Sequence, residues 1–471
     1  MFSTRESSDI PTLSAWTTVR DALRGSHVTY TEGPIGRAVL LLAIPMVLEL
    51  ILESVFAVVD VFFVSRLGAD AIATVGLTES MLTIVYAVMT GLCMGVTAVV
   101  ARRIGEGDAD GAARGAVQAI VLGVAVAIPI GVAGVWLAPS MLAVMGASPG
   151  VVAHASYTRV VFGVNIVILM LFLLNAVFRG AGDATVAMRV LWVANAINIC
   201  LDPCLIFGIG PFPKLGVTGA AVATTTGRGF GVLLQLIVLW RGTDRIAIRR
   251  RHLRIEPAIM WNMVRLSGSA VVQSLIATTS WVVLVRTIAS FGSTAVAGYT
   301  ITIRIVIFAL LPAWGLANAA ATLVGQNLGA GRPDRAESSV WHTCRYCIGL
   351  FGVMTVAFLL AADPLVRAFT DELPVRAIAT PGLRIATAGF LGYAIGIVVS
   401  SAFNGAGDMW SPMWINVVSF WIFGVTLAHI LAQRLSFGPA GVFVAMTTAF
   451  VMMAICATVL FRRGAWKAKR V

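Results

Sequence analysis

Glu49, Glu53 and Asp60 lie inside a single apolar run, residues 37–65. Their spacings of 4 and 7 put all three on one stripe of a helix with 3.6 residues per turn. Pro45 precedes them and withholds a backbone donor, which predicts a helix kink there. Glu79 lies in the next apolar run. Asn198 and Asp202 sit about one turn apart in a later one, directly before Pro203. That proline leaves a carbonyl near Ile199 without its usual donor. Carboxylates, an amide oxygen and a freed carbonyl are hard oxygen donors, suited to a proton or a hard cation. A charge in the middle of a bilayer costs at least about 2.5 kcal/mol, so each of these acids is a functional candidate. Glu49 and Glu79 have a plainer reading as well, as acids near a helix end or in a hydrated cavity.

These residues need apolar elements to hold them, and the composition supplies little else. The chain has 471 residues, 58% of them hydrophobic and only 12% charged. Soluble domains carry about 25% charged residues. A water-soluble globular enzyme is excluded, and so is a disordered chain, which needs low hydrophobicity. Runs long enough to cross a hydrocarbon core of about 30 Å as helix fall at 37–65, 71–101, 112–137, 151–178, 185–208, 216–241, 258–288, 295–324, 337–361, 377–403, 411–433 and 439–462. The strand alternation of a barrel is absent, which leaves helices as the only way to satisfy backbone groups in lipid. The fold class is therefore an all-α integral membrane protein with twelve transmembrane helices.

The net charge of +12 reads as membrane orientation rather than nucleic-acid binding. Arg102, Arg103, Arg114, Arg179, Arg241, the Arg245–Arg254 segment, Arg332 and Arg335 fall in alternate loops. The tail adds Arg462, Arg463, Lys467, Lys469 and Arg470. The positive-inside bias predicts both termini in the cytoplasm and a multi-pass protein of the cell (inner) membrane. Residues 1–36 lack the basic-then-apolar order of a cleavable signal. Leu13, Trp16, Val19 and Leu23 in that tail suit either a short interfacial helix or a loosely ordered segment.

The sequence repeats. "FRGAGD" at 178–183 returns as "FNGAGD" at 403–408, "RLGADAIATVGL" at 66–77 as "SFGSTAVAGYTI" at 290–301, "RRIGEGDADGAA" at 102–113 as "QNLGAGRPDRAE" at 326–337, and "LGVTGAAVAT" at 215–224 as "FGPAGVFVAM" at 437–446. The expected organisation is a tail (1–36), a six-helix lobe (37–241), a basic linker (242–257), a second six-helix lobe (258–462) and a basic tail (463–471). An even number of spans per half makes the two bundles parallel repeats, related by a pseudo-symmetry axis along the membrane normal, with a cleft between them suited to alternating access. The acids do not repeat: Leu284 stands opposite Asp60, and the partner of Asp202 falls near Leu427. The second half carries Arg286 and Arg304 instead. The six cysteines suggest no disulfide framework, and the Cys344–Cys347 pair has no second pair to complete a metal site. No cofactor is expected.

With these pieces in place the chain resembles the multidrug and toxic compound extrusion (MATE) transporters, from about residue 35 to the C-terminal region. The resemblance rests on "GPIGRAVLLLAIP" at 33–45, on Pro45 to Asp60 with "RLG" after it, and on "NAVFRGAGDA" at 175–184. "NAINICLDPCLIFG" at 195–208, "LGVTGAAVAT" at 215–224 and "IRIVIFALLPAWGLANAAATLVGQNLGAGRPDRA" at 303–336 follow the same pattern. The resemblance implies twelve helices in two lobes and antiport of organic, often cationic, compounds against H+ or Na+. It implies a cation site of Asp60, Tyr157, Asn175, Asn198, Asp202 and Thr224, of which Asp60, Asn198, Asp202 and Thr224 would ligate the metal if the ion is Na+. Tyr157 and Asn175 are 18 residues apart, five full turns on one face of an unbroken helix. Gln273 and Ser274 stand where one branch has acids, so the chain is similar to the other, DNA-damage-inducible (DinF-like) branch. Glu49 and Glu53 look like additions that make the cleft more acidic and favour small organic cations as substrates. The expected partners are those cations and the lipid bilayer, with no nucleic acid, and the expected state is a monomer. The competing reading within the wider group is a lipid-linked sugar flippase. A channel or receptor is a more distant one. An enzyme is not expected, since neither HExxH nor a GxSxG beside a histidine occurs.

Overall fold

The computed structural model describes residues 15–25 and 28–469; Leu13 and Arg470, named above, lie outside them. Among the described residues ten helices are long and apolar enough to cross a membrane, and two bent pairs bring the crossings to twelve. The first bundle holds spans 1 (Ile35–Ser65), 2 (Ala69–Gly105), 3 (Ala109–Val144), 4 (Ala155–Gly163 with Asn165–Ala181), 5 (Ala184–Phe207) and 6 (Val217–Arg241). The second holds spans 7 (Pro257–Ala289), 8 (Ser293–Gly329), 9 (Pro333–Arg367), 10 (Leu373–Ala388 with Phe390–Gly405), 11 (Trp410–Arg434) and 12 (Pro439–Arg462). The twelve crossings match the apolar runs, because only helices close their own hydrogen bonds over such lengths.

Spans 4 and 10 depart from the straight helices expected. They bend by 43° and 51°, at Val164 and Gly389, which are repeat partners. The bend separates Tyr157 from Asn175, so the two do not share one helical face. Span 11 runs through π-helical stretches at Val417–Thr426 and Ile430–Arg434, whereas its partner, span 5, is α-helical.

The repeat is visible in the backbone as well. Gly68 and Gly292 have φ of 102° and 93°, and Gly107 and Gly331 have 75° and 69°. Gly182 and Gly407 have 89° and 83°, and Gly216 and Gly438 have 60° and 59°. Each pair comes from one of the four repeated motifs. Positive φ is open to glycine at little cost and to other residues at a penalty, which explains why these glycines occur in both halves.

The bundles touch on the side where the arginine-rich loops lie. Gly91 and Gly95 of span 2 meet Val271 and Ser267 of span 7, and Gly315 of span 8 meets Val47 of span 1. Gly105 meets Gln326, and Gly329 meets Arg102. Small residues allow these backbones to approach closely. Thr322 donates to the Arg179 carbonyl at 3.2 Å, and Gln326 to that of Gly180 at 3.0 Å. Towards the opposite face spans 1 and 8 part around a recess of about 350 Å³, lined by residues such as Val55, Val58 and Phe308. This recess lies on the side of the bundle contact away from the arginine-rich face.

The described segments nearest the two ends, residues 15–25 with 28–32 and residues 464–469, lie across that face. The N-terminal segment is helical over Ala15–Arg24, with Trp16 exposed. Thr185 and Arg189 of span 5 donate to its Ala22 and Leu23 carbonyls at 3.0 and 2.7 Å. Beyond it, Arg245 of the linker donates to the Val28 carbonyl at 2.6 Å. Arg332 and Arg335 of the second bundle donate to the carbonyls of Thr31 and Glu32 at 2.6 and 2.7 Å. At the other end Trp466 is buried, stacked on Phe461 at 4.6 Å. Lys467 pairs with Glu337 at 2.6 Å, and Arg102 of the first bundle donates to the Lys469 carbonyl at 2.7 Å.

Candidate functional site

Spans 5 and 6 pack closely because glycines line the contact. A Cβ at Gly227 would meet the Ala194 carbonyl at 2.5 Å and the Asn198 Cβ at 3.0 Å. This approach brings Thr224, one turn earlier, to Asn198, whose Nδ2 donates to the threonine hydroxyl at 3.0 Å. Asp202, one turn beyond Asn198, is fully buried. Asp60 of span 1 lies within electrostatic range of Asp202, Glu79 and Arg228. Tyr157, on the short half of span 4, is in range of Asp60 and Glu79. The first bundle therefore brings Asp60, Tyr157, Asn198, Asp202 and Thr224 together.

Four oxygens in this group are buried without a hydrogen-bond partner: Oδ1 of Asp60, both carboxylate oxygens of Asp202, and Oδ1 of Asn198. Buried carboxylates without donors are costly as anions. They are relieved either by a proton or by a cation with oxygen ligands. The oxygen set fits both, with Thr224 Oγ1 as a further ligand for Na+. Among the described residues no cluster of three or more His, Cys, Asp or Glu suits a metal ion, so a sodium site here relies on the amide and hydroxyl oxygens.

Asn175 joins a different cluster, nearer the arginine-rich face. Its amide donates to Glu49 at 3.1 Å, and its carbonyl oxygen accepts from Gln235. Arg179 pairs with the same Glu49 oxygen at 3.0 Å. One turn along span 1, Glu53 accepts from Arg228 at 2.7 Å and from Asn195 at 3.3 Å. Arg228 is itself buried, with the rings of Phe56 and Phe172 centred 5.6 and 5.8 Å away. Both added acids are thus matched by arginines, and neither stands as a free charge in the cleft. Asp60, on the same stripe, has no basic group within 4 Å among the described residues. Span 1 continues as one helix through Pro45.

Arg179 and Arg228 were not legible as site residues from the sequence alone. Arg179 reads as a loop residue because it closes span 4, yet its guanidinium turns back to Glu49. Arg228 carried a usable signal, as an ionisable residue inside a span. The glycine- and threonine-rich stretch around it hides how deep it lies.

Comparison with known proteins accords with the two-bundle fold. A family model described as MatE matches residues 45–204 and 269–430, one segment in each bundle. The chain is 25% identical over 462 residues to a probable multidrug resistance protein NorM of Thermotoga maritima, covering 96% of this chain and 98% of that one. It is 25% identical over 437 residues to an FAD transporter of Shewanella oneidensis, covering 92% and 95%. Among solved structures, a MOP superfamily transporter from Pyrococcus furiosus shares the fold with a TM-score of 0.86 at 24% identity, covering 93% of this chain and 98% of that one. A multidrug resistance MATE family transporter in an outward-facing conformation also gives a TM-score of 0.86 at 24% identity, with the same coverage.

Proposed function

The chain belongs to the MatE family, whose members are membrane transporters and not enzymes, and from that premise we propose a cation-coupled antiporter that exports organic cations by alternating access. The arginine-rich face is cytoplasmic in this reading, which makes the state described outward-open. Asp60 and Asp202 take up H+ or Na+ from outside. Their neutralisation alters the packing of span 1 and releases substrate, and the ion leaves inward as new substrate binds. An ion drives such a cycle only through different affinities for the two states.

One observation carries the reading. Of three acids on one stripe of span 1, Glu49 and Glu53 are matched by arginines, while Asp60 lies within electrostatic range of Asp202 and has its Oδ1 unpartnered. That pairing suits a site that must gain and lose a cation. Export of an anion is a second reading, favoured by Arg286 and Arg304, which are exposed on spans 7 and 8 without ion-pair partners among the described residues. The relative named as an FAD transporter points the same way.

Proteoliposomes test both. A proton gradient and a sodium gradient are imposed separately on wild type and Asp60→Asn, with a cationic and an anionic dye. Gradient-driven movement of the cationic dye in wild type, lost in Asp60→Asn, is expected, and the effective gradient names the ion. Undiminished movement in the variant removes Asp60 from coupling. Movement of the anionic dye alone selects the second reading.

A further inference from the structure

At the arginine-rich end of the first bundle, away from the acidic cluster, a crevice of about 290 Å³ opens between spans 3 and 6. Ile120 and Val121 of span 3 and Leu236 and Trp240 of span 6 form its walls, and Ile248 and Leu253 of the linker close its end. Trp240 is 53% exposed and Leu253 54%. The linker is held firmly there. Ile248 N donates to the Leu239 carbonyl at 2.8 Å, and Gln118 of span 3 donates to the Arg254 carbonyl at 2.7 Å and accepts from Glu256 N at 3.1 Å. Arg251 is neutralised by both oxygens of Asp110, at 2.7 and 2.8 Å, and Arg114 lies 3.8 and 3.7 Å from Asp108 and Glu256. Arg241, Arg249, Arg250 and Arg254, each within two residues of the lining residues Trp240, Ile248 or Leu253 in sequence, are exposed, with no ion-pair partner among the described residues.

We propose that this crevice is a binding site for an anionic phospholipid, with an acyl chain between spans 3 and 6 and the phosphate headgroup on the four unmatched arginines. The lining is apolar, as a chain requires. The rim is cationic, as a phosphodiester requires, and arginine presents a planar fork of donors to its oxygens. Basic pockets between transmembrane helices at a membrane surface bind such headgroups, and an exposed tryptophan marks the interfacial level. A zwitterionic lipid would fill the crevice but leave the excess positive charge unmatched. The occupied site would fasten the linker that joins the bundles to spans 3 and 6.

Trp240 reports on the site directly. Wild type, Trp240→Phe and a variant with Arg241, Arg249, Arg250 and Arg254 all changed to Gln are reconstituted in phosphatidylcholine. Brominated phosphatidylglycerol or brominated phosphatidylcholine is then added in steps. The difference between wild type and Trp240→Phe isolates the Trp240 emission. Half-quenching by the anionic lipid is expected at a mole fraction at least about fivefold lower than by the zwitterionic one, the factor one arginine near a headgroup contributes. The fourfold variant is expected to lose that preference. Equal quenching by the two lipids in wild type, or a preference that survives the four substitutions, overturns the proposal. If the fourfold variant does not fold, Arg250→Gln with Arg254→Gln provides the same comparison.

Discussion

Glu49 and Asp60 stand three turns apart on one helix, and what separates their roles is whether an arginine meets them. Removing one partner of a buried ion pair costs about 3–5 kcal/mol, because the other charge is left uncompensated. Arg179→Ala is therefore expected to lower the thermal unfolding midpoint in detergent markedly, and the double change Glu49→Gln with Arg179→Gln to recover most of the loss. Asp60→Asn and Asp202→Asn should behave oppositely, with unchanged or slightly higher thermal stability and no gradient-driven flux, since a buried carboxylate without donors contributes no folding energy. A fall in stability as large as that of Arg179→Ala would show that Asp60 is structural. The acids were legible in the sequence because apolar neighbours surround them. Their partners were not, since a guanidinium on a long side chain reaches across helices and leaves no spacing rule in its own segment.

Among the elements, the loops that return in both halves make a clean test. A Cβ at Gly107 or Gly331 would meet nothing within 4 Å, and φ is 75° and 69°. Alanine there is penalised only through the backbone, by about 1–2 kcal/mol. Gly107→Ala and Gly331→Ala are expected to destabilise to the same degree in thermal melts. The interface glycines should respond differently. Leucine at Gly105 drives into the Gln326 carbonyl across the bundle contact. Gly105→Leu is expected to part the bundles on the arginine-rich face and close the opposite one, read as slower labelling of a cysteine placed at Val58 by an impermeant thiol reagent. Faster or unchanged labelling would show that this contact does not gate the cleft. The twelve spans were readable because a membrane fixes helix length. The bends at Val164 and Gly389 were not, because each lies in an uninterrupted apolar run that a straight helix satisfies equally well.

At the scale of the whole molecule, the ties between the two bundles among the described residues lie on one face. The linker, the segment through residues 28–32 and the C-terminal tail all cross the arginine-rich side. Arg332→Gln with Arg335→Gln cuts the N-terminal tie, and spin labels across that face are expected to show longer distances and a larger share of the alternative state. Distances unchanged from wild type would make the segment a passive cover. The parallel arrangement followed from the even number of spans per repeat, but the ties did not, because they run through backbone carbonyls that any sequence supplies. The direction in which the cleft opens has a pharmacological consequence. In the proposed orientation, with the arginine-rich side in the cytoplasm, the acids of span 1 and span 5 would be approached from the medium. A blocker designed against Asp60 and Asp202 then has no need to permeate the bilayer it acts in, and it escapes the expulsion that defeats compounds whose targets lie inside.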